Sequence, residues 1–282
     1  MKYYKIKSYA KINISLGVLK KLNSNFHRIE SLISFIDLYD DIFIKKIRNK
    51  NHKVFFVGKF SKGITKKNTI INLLKILDKN KKLRNQKYLI KVNKRIPQKS
   101  GMGGGSMNAA FVLKYLINKQ KIKLNSKEIF NTASKIGSDV IVGMQNKTSI
   151  LYGSGELKSV NKGVNYFTLL VKPNFGCSTD VIYKNVKFFS KSFFLKNRKI
   201  NLNLKLLLNL RNDLEIPVFK KYLALKNLKR FMEKLDNILF ARMTGSGSTM
   251  VGYFNSKKAA INGEKLLKKN YKNYWCILSK TI

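Results

Sequence analysis

The sequence is poor in the residues from which disulfide frameworks and structural metal sites are built. Its 282 residues include two cysteines, Cys177 and Cys276, and two histidines, His27 and His52. The cysteines lie far apart and form no CxxC unit, so the sequence predicts neither a disulfide framework nor a zinc site. This cysteine usage fits a reducing compartment, and we expect a cytoplasmic protein.

Long apolar runs are also missing. No segment approaches the roughly 18 consecutive apolar residues that a membrane-spanning helix requires. Lys5, Lys7 and Lys11 interrupt the N-terminal segment, which does not resemble a signal peptide. We therefore expect no membrane partner.

Acidic residues are scarce. There are 14 Asp and Glu against 58 Lys and Arg, which gives a formal net charge of +44. Such a charge is common in proteins that bind nucleic acids or anionic membranes. However, the lysines are spread along the whole chain, whereas binding proteins tend to concentrate them. We therefore favour a solvated basic surface and expect no specific nucleic-acid partner; a basic RNA-binding protein remains the alternative.

The hydrophobic pattern indicates mixed secondary structure. Hydrophobic residues make up 44% of the chain, which is enough for a sizeable core. The apolar spacing over Ser126 to Ile136 predicts a helix with Ser126 as a candidate N-cap. Helices and strands do not alternate as strict βαβ repeats, so the predicted fold class is α+β. A polar, glycine-rich stretch near residue 155 predicts a boundary between domains 1–158 and 159–282.

A glycine cluster joins a predicted strand, Tyr88 to Ile96, to a predicted helix that begins near Ser106. Gly103 to Gly105 have no Cβ atoms, so a ligand can approach the backbone closely. The first N–H groups of the helix lack intrahelical partners and form the positive end of its dipole. The cluster therefore predicts a phosphate-binding loop, although a tight turn without a ligand would use similar residues. It is neither a Walker loop, which needs Gly-Lys-Ser/Thr, nor a G-x-G-x-x-G loop.

Asp139 lies in a short polar break between apolar segments. A carboxylate in such a place could act as a general base, but capping a helix is the more common role. Lys11 lies in a predicted strand and is one of many lysines. The residue types alone leave the roles of both open.

Three segments resemble motifs of the GHMP kinases, which are ATP-dependent kinases of small molecules. They are Ala10 to Asn13, Pro97 to Asn108 and Thr244 to Ser248. Their order and spacing agree with those of the family motifs across nearly the whole chain. Three motifs in the right order are more specific than any one of them. Phe26-His27, Gly137 to Val140 and Asn212 to Glu215 further resemble the branch of the family that phosphorylates an alcohol carrying cytidine diphosphate.

The resemblance implies a two-lobed α+β fold. The N-terminal lobe would be like the second domain of a ribosomal small-subunit protein, and the C-terminal lobe would be ferredoxin-like. It also implies ATP and Mg²⁺ as cofactors and a cytidyl alcohol, phosphorylated on its 2-hydroxyl, as substrate. Homoserine and mevalonate kinases of the same family remain alternatives, although their substrates carry no base.

The resemblance also implies roles for individual residues. Asp139 would be the catalytic base and Lys11 its partner. The substrate would be bound by Asn13, Phe26, His27 and Tyr183. The ATP phosphates would be bound by Pro97, Gln98, Lys99, Ser100, Gly101, Met102, Gly103, Gly104, Gly105, Ser106 and Met107. The ligands of Mg²⁺ stay unassigned.

Three residues depart from the family pattern. Phe26 replaces a tyrosine, Met107 replaces a serine and Ile141 replaces a proline. Phe26 keeps the aromatic ring, whereas Met107 removes a hydroxyl that could contact a phosphate or Mg²⁺. No predicted catalytic group is lost, so we expect an active enzyme.

Overall fold

The computed structural model describes residues 2–22, 26–153, 155–194 and 200–282. The chain forms two compact units that interleave along the sequence. Unit 1 consists of Met1–Ala10, Leu38–Gln98 and Gly103–Asn146, and unit 2 consists of Lys11–Asp37, Lys99–Met102 and Lys147–Ile282. The predicted boundary between residues 158 and 159 stays a prediction.

Eleven strands and nine helices lie within the described ranges. The strands are β1 (Tyr4–Asn13), β2 (Gly17–Lys21), β3 (His27–Ile47), β4 (Lys53–Val57), β5 (Lys87–Asn93), β6 (Ser149–Gly153), β7 (Glu156–Ser159), β8 (Phe167–Lys172), β9 (Ile238–Met243), β10 (Met250–Phe254) and β11 (Trp275–Lys280). The helices are α1 (Thr69–Lys79), α2 (Gly104–Gln120), α3 (Ser126–Ile136), α4 (Asp139–Gln145), α5 (Thr179–Lys184), α6 (Leu204–Asn209), α7 (Glu215–Lys221), α8 (Leu223–Met232) and α9 (Lys257–Asn270). None of these helices is long and apolar enough to cross a membrane.

Unit 1 packs four helices, α1 to α4, against a sheet. The second half of β3 pairs antiparallel with β5, from Asp41 opposite Asn93 to Ile47 opposite Lys87. Strand β4 pairs parallel with the other edge of β5. The core combines branched residues of these strands with the apolar faces of α1 and α2. Eight of the 17 residues of α2 are buried, from Met107 to Leu116, so the helix is firmly packed directly after its N-terminal end.

Unit 2 contains a four-stranded antiparallel sheet in the order β11-β8-β10-β9. Along the chain its elements run strand, helices, strand, strand, helix, strand, which is the ferredoxin-like arrangement that the resemblance implied. Its core is formed by apolar residues of these strands and of α7 to α9. Strands β9 and β10 flank the motif Thr244 to Ser248. The first half of β3 also belongs to this unit and pairs with β6.

The start of α3 differs from the sequence prediction by one residue. Asn125, not Ser126, is the N-cap, and its side chain accepts a hydrogen bond from the backbone N–H of Glu128. The Glu128 carboxylate accepts one in return from the N–H of Asn125, so the two residues form a capping box. A capping box satisfies two backbone donors, whereas Ser126 alone would satisfy one.

Candidate active site

The N-terminal motif forms a buried polar cluster in unit 2. Lys11, on β1, is 4% exposed, and its Nζ donates a hydrogen bond to Asn13 Oδ1 (2.7 Å). Asn13 Nδ2 in turn donates to Ser31 Oγ (2.7 Å) on β3. These contacts fix the direction of the lysine side chain. Ser31 was not predicted, since a single serine in a strand carries no functional signal.

The same cluster joins the three motifs that the sequence resemblance singled out. The backbone N–H of Asn13 donates to Thr244 Oγ1 (2.9 Å) in the C-terminal glycine motif. Thr244 Oγ1 donates to the carbonyl of Gly101 (3.2 Å) in the glycine loop. The backbone N–H of Lys11 donates to the carbonyl of Met102 (3.3 Å). Segments more than 140 residues apart in sequence therefore meet around one threonine hydroxyl.

Gly101 is the closest point of this contact. It has a φ of +75°, and a Cβ built there would lie 2.1 Å from the carbonyl oxygen of Thr244. Real Cβ atoms do not approach an oxygen so closely, so any side chain at residue 101 would separate the two glycine motifs. Gly101 is therefore required for contact between protein segments, in addition to any role in ligand binding.

The rest of the glycine loop lies in unit 1 and begins α2. Gly103 is the N-cap in the left-handed conformation (φ +66°), and α2 starts at Gly104. A Cβ on Gly104 would lie 3.0 Å from Ile96 Cγ2 and 3.3 Å from Lys94 Nζ. An ammonium group therefore lies close to the start of the helix.

Lys94 is held at this place by Asp40, a fully buried carboxylate on β3. Asp40 Oδ2 accepts a hydrogen bond from Lys94 Nζ, and Oδ1 accepts from the backbone N–H groups of Arg95 (2.7 Å) and Ile96 (2.9 Å). Asp40 therefore anchors the chain where it leaves β5 for the loop. The sequence analysis missed both residues, although an aspartate within an apolar strand pattern is an available signal in a chain with so few acids.

The remaining loop residues have different environments. Pro97 and Ser100 are buried, whereas Gln98 and Lys99 are exposed. Gln98 Nε2 donates to the carbonyls of Phe60 (2.9 Å) and Lys62 (2.8 Å), which ties the start of the loop to a neighbouring turn. Met102 and Met107 are fully buried, so both side chains contribute to packing.

Asp139 is the first residue of α4 and is half-buried. The N-cap position is occupied by Ser138, so Asp139 does not cap the helix in the way that the sequence left open. A Cβ on Gly137 would lie 3.3 Å from Ser106 Oγ, so the turn before Asp139 lies against the start of α2. Unit 1 therefore brings Asp139 to the end of the glycine loop. Lys11 belongs to unit 2, and its pairing with Asp139 stays a prediction.

An aromatic cluster lies in unit 2. The ring of His27 lies 5.1 Å from the ring of Tyr183 at 34°, and 6.4 Å from the ring of Phe189 at 26°. The adjacent Phe26 is 71% exposed, which is unusual for a phenylalanine and leaves its ring open to a ligand. Burial, and then the charge of Lys21, lower the pKa of His27, so its imidazole is neutral at pH 7. A neutral imidazole can both donate and accept a hydrogen bond.

Phe189 was not predicted, and the structure shows how it is positioned. Ser190, next in sequence, donates to Asp213 Oδ2 (2.6 Å). Glu30 Oε1 accepts from the backbone N–H groups of Phe193 (2.8 Å) and Phe194 (3.1 Å). Two buried carboxylates thus hold the segment that carries Phe189. One of these carboxylates, that of Asp213, belongs to the Asn212 to Glu215 motif, for which the sequence showed a resemblance to the family but no role.

Metal-ligating side chains do not cluster in the described ranges: no group of three or more His, Cys, Asp or Glu could hold an ion.

Comparison with known proteins identifies the family. Residues 68–154 match the GHMP kinases N terminal domain, and residues 191–273 match the GHMP kinases C terminal domain. The chain belongs to the GHMP kinase family. The two matched segments contain the glycine loop and the C-terminal glycine motif described above. The family consists of ATP-dependent kinases, so the chain is an ATP-dependent small-molecule kinase.

Relatives of this GHMP kinase extend over its whole length. It is 50% identical over 282 residues to a 4-diphosphocytidyl-2-C-methyl-D-erythritol kinase of Pelagibacter ubique, with all of both chains covered. It is 31% identical over 287 residues to the kinase of the same name from Clostridioides difficile, with 99% and 96% of the two chains covered.

Solved structures confirm the predicted two-lobed GHMP kinase fold. A crystal structure of 4-(cytidine 5'-diphospho)-2C-methyl-D-erythritol kinase matches with a TM-score of 0.80 and 22% identity, covering 99% of this chain and all of the other. A homoserine kinase from Cytophaga hutchinsonii matches with a TM-score of 0.68 and 15% identity, covering 100% and 95%.

Proposed function

We propose that this kinase transfers the γ-phosphoryl group of ATP to the 2-hydroxyl of 4-diphosphocytidyl-2-C-methyl-D-erythritol, a step in non-mevalonate isoprenoid precursor biosynthesis. The observation that carries this function is the 50% identity to a kinase of that name over the full length of both chains. The aromatic cluster of unit 2 supports it, because the substrate carries a cytosine ring that can stack on aromatic side chains.

The glycine loop, from Pro97 to Met107, binds the ATP phosphates. The first N–H groups of α2 have no intrahelical acceptors, so they can donate hydrogen bonds to phosphate oxygens. The ammonium group of Lys94, which is paired with Asp40, lies beside this helix end. Mg²⁺ bound with ATP would supply positive charge that neutralises the phosphates. The Ser106 hydroxyl, which lies against the turn before Asp139, is the loop-side group that would hold it.

Asp139 acts as the general base. Its carboxylate accepts the proton of the substrate 2-hydroxyl while that oxygen forms a bond to the γ-phosphorus, and the bond from this phosphorus to the bridging oxygen breaks to release ADP. Such help contributes roughly 10²–10⁴-fold to a rate. Lys11 keeps Asp139 ionised and stabilises negative charge on the substrate oxygen. Its hydrogen bond to Asn13 holds its ammonium group in one direction.

Asn13, Phe26, His27 and Tyr183 bind the substrate. One N–H of the Asn13 amide serves Ser31, and the second serves the substrate. The exposed ring of Phe26 and the ring of Tyr183 stack on the cytosine, which is worth roughly 1–3 kcal/mol per ring. The neutral imidazole of His27 pairs with the polar edge of the base.

Two features support a metabolic kinase of the cytoplasm without a specific nucleic-acid partner. Both cysteines are free thiols, as in proteins of reducing compartments. Thr244 Oγ1 joins the N-terminal motif to the glycine loop by hydrogen bonds with Asn13 and Gly101. Binding of RNA would give no reason for this arrangement of the motifs.

A coupled assay of ATP consumption, run with three alcohols, tests the substrate. We expect turnover with the cytidyl alcohol and less than about 1% of that rate with homoserine or mevalonate, because neither carries a ring for the aromatic cluster. Equal or faster turnover of homoserine or mevalonate would overturn the proposed substrate while leaving the kinase assignment intact.

A further inference from the structure

The contact between α2 and α4 in unit 1 is unusually close. Gly143, on α4, is buried, and a Cβ built on it would lie 2.5 Å from Ala110 Cβ on α2. The same position is 3.2 Å from Met107 Sδ and 3.3 Å from Met107 Cε. The backbone of α4 therefore lies directly on side chains of α2, without a side chain of its own between them.

A second glycine makes a tight but less extreme contact before the other end of α4. Gly137, two residues before the helix, lies against Ser106, with 3.3 Å between its ideal Cβ position and Ser106 Oγ. Asp139 lies between these two contacts. It is four residues before Gly143, or about 6 Å along the helix axis. Three of the seven residues of α4 are buried, among them Gly143. Because the helix is short and is packed at both ends, it moves as one body, so its spacing from α2 determines where Asp139 lies.

We propose that Gly143 is a positioning residue: with Met107 and Ala110 it sets the distance between the helix that begins at the phosphate loop and the helix that begins at Asp139. The proposal rests on the proposed role of Asp139 as the base. It also accounts for Met107, the departure from the family serine, because its thioether occupies the space beside Gly143 that a side chain on α4 would otherwise fill.

The size of the effect follows from the distances. Two carbon atoms in contact lie about 3.5–4.0 Å apart, so a methyl group on residue 143 must move away from Ala110 by about 1 Å. The shorter helix, α4, gives way, because α2 is longer and eight of its 17 residues, between Met107 and Leu116, are buried in the core of unit 1. A displacement of about 1 Å at a catalytic group can reduce a rate about 100-fold.

Gly143→Ala is the test, and kcat is its main readout. We expect kcat to fall about 100-fold, whereas the Kd for ATP, measured by titration, stays within about threefold because the loop itself is unchanged. The double variant Gly143→Ala/Ala110→Gly removes the opposing methyl group and should regain at least about tenfold in kcat over the single variant. If Gly143→Ala keeps kcat within about threefold of the parent, or if the double variant regains nothing, the proposal is wrong.

A matched control separates positioning from loss of stability. Gly263, on α9 in unit 2, is also a helical glycine, and a Cβ there would meet three side-chain carbons at 3.3 Å. Gly263→Ala should lower the Tm and leave kcat within about twofold. An equal loss of kcat in this variant would mean that stability alone explains the effect, which would overturn the proposal.

Two further variants test the proposal if Gly143→Ala does not fold and separate it from the proposed role of Asp139. If Gly143→Ala gives no folded protein, Ala110→Ser adds a single oxygen at the same contact and should lower kcat at least threefold with unchanged ATP affinity; full activity would overturn the proposal. Asp139→Asn tests the proposed base separately. Loss of turnover in Asp139→Asn with full activity in Gly143→Ala would reject the positioning role alone.

Discussion

Replacing Gly101 by alanine tests the convergence of the three motifs. The alanine Cβ would lie 2.1 Å from the carbonyl oxygen of Thr244, whereas carbon and carbonyl oxygen normally lie about 3.3–3.6 Å apart. The loop and the C-terminal glycine motif must therefore separate by more than about 1 Å. This movement breaks the hydrogen bond from Thr244 Oγ1 to Gly101.

Two costs contribute to the expected loss of stability. Residue 101 has a φ of +75°, and the left-handed conformation costs an alanine about 1–2 kcal/mol. The steric overlap adds about 1–3 kcal/mol, as overpacking does in other buried sites. The free energy of unfolding should therefore fall by about 2–5 kcal/mol. We further expect kcat/KM for ATP to fall about 100-fold, because the displaced loop carries the phosphate contacts.

Gly63 provides the matched control. It has a similar φ of +83°, but nothing lies within 4 Å of its ideal Cβ position. Gly63→Ala therefore carries the conformational cost without the overlap. Urea unfolding should show a loss of about 1–2 kcal/mol for this variant, and the coupled ATP assay should show full activity. Identical behaviour of Gly63→Ala and Gly101→Ala in both measurements would refute the claim that residue 101 is restricted by Thr244.

Three other substitutions test the proposed general base, the aromatic ring proposed to stack on cytosine, and the aspartate that anchors the start of the glycine loop. Asp139→Asn should lower kcat at least 100-fold with ATP affinity within a few-fold by titration; normal turnover would exclude Asp139 as the base. Phe26→Ala should raise KM for the cytidyl substrate about tenfold, which is about 1.4 kcal/mol, and an unchanged KM would argue against stacking there. Asp40→Asn leaves the buried ammonium of Lys94 without its counter-ion and should lower the free energy of unfolding by about 3–5 kcal/mol in urea. Asp40→Asn/Lys94→Met should recover part of that loss, and no recovery would mean that the ion pair is not the cause.

The sequence predicted the features that depend on local pattern. Three consecutive glycines between an alternating segment and an amphipathic segment predicted a strand, a loop and the helix α2, and the structure confirms this order. The start of α3 was predicted to within one residue from its apolar spacing, but the capping box of Asn125 and Glu128 was missed. The family resemblance added the three motifs, but it contained no information about their mutual contacts.

The contacts that build the site could not be predicted, because they join residues far apart in sequence. Asn13 meets Thr244 across 231 positions, and Glu30 meets Phe193 across 163. Neither pair leaves a periodic signal, and a threonine or a glutamate at these places has several ordinary roles. The role of Gly143 could not be predicted either. In the sequence, a glycine in a short apolar segment suggests a weakened helix. Only the short distance from its ideal Cβ position to Ala110 shows that this glycine permits close packing.

The distribution of the scarce acidic residues bears on the meaning of the high positive charge. Five of the fourteen acids are buried, against four of the basic residues in the described part of the chain. Four of these acids accept hydrogen bonds from backbone N–H groups: Glu30 from Phe193, Asp40 from Arg95, Asp213 from Val18 and Glu215 from Met243. Each backbone group would be left without an acceptor if a lysine replaced the acid, which costs about 1–3 kcal/mol or more. The acids are thus retained where the backbone around the site requires an acceptor. The lysine excess lies on the surface, where a charge can change at little cost in stability.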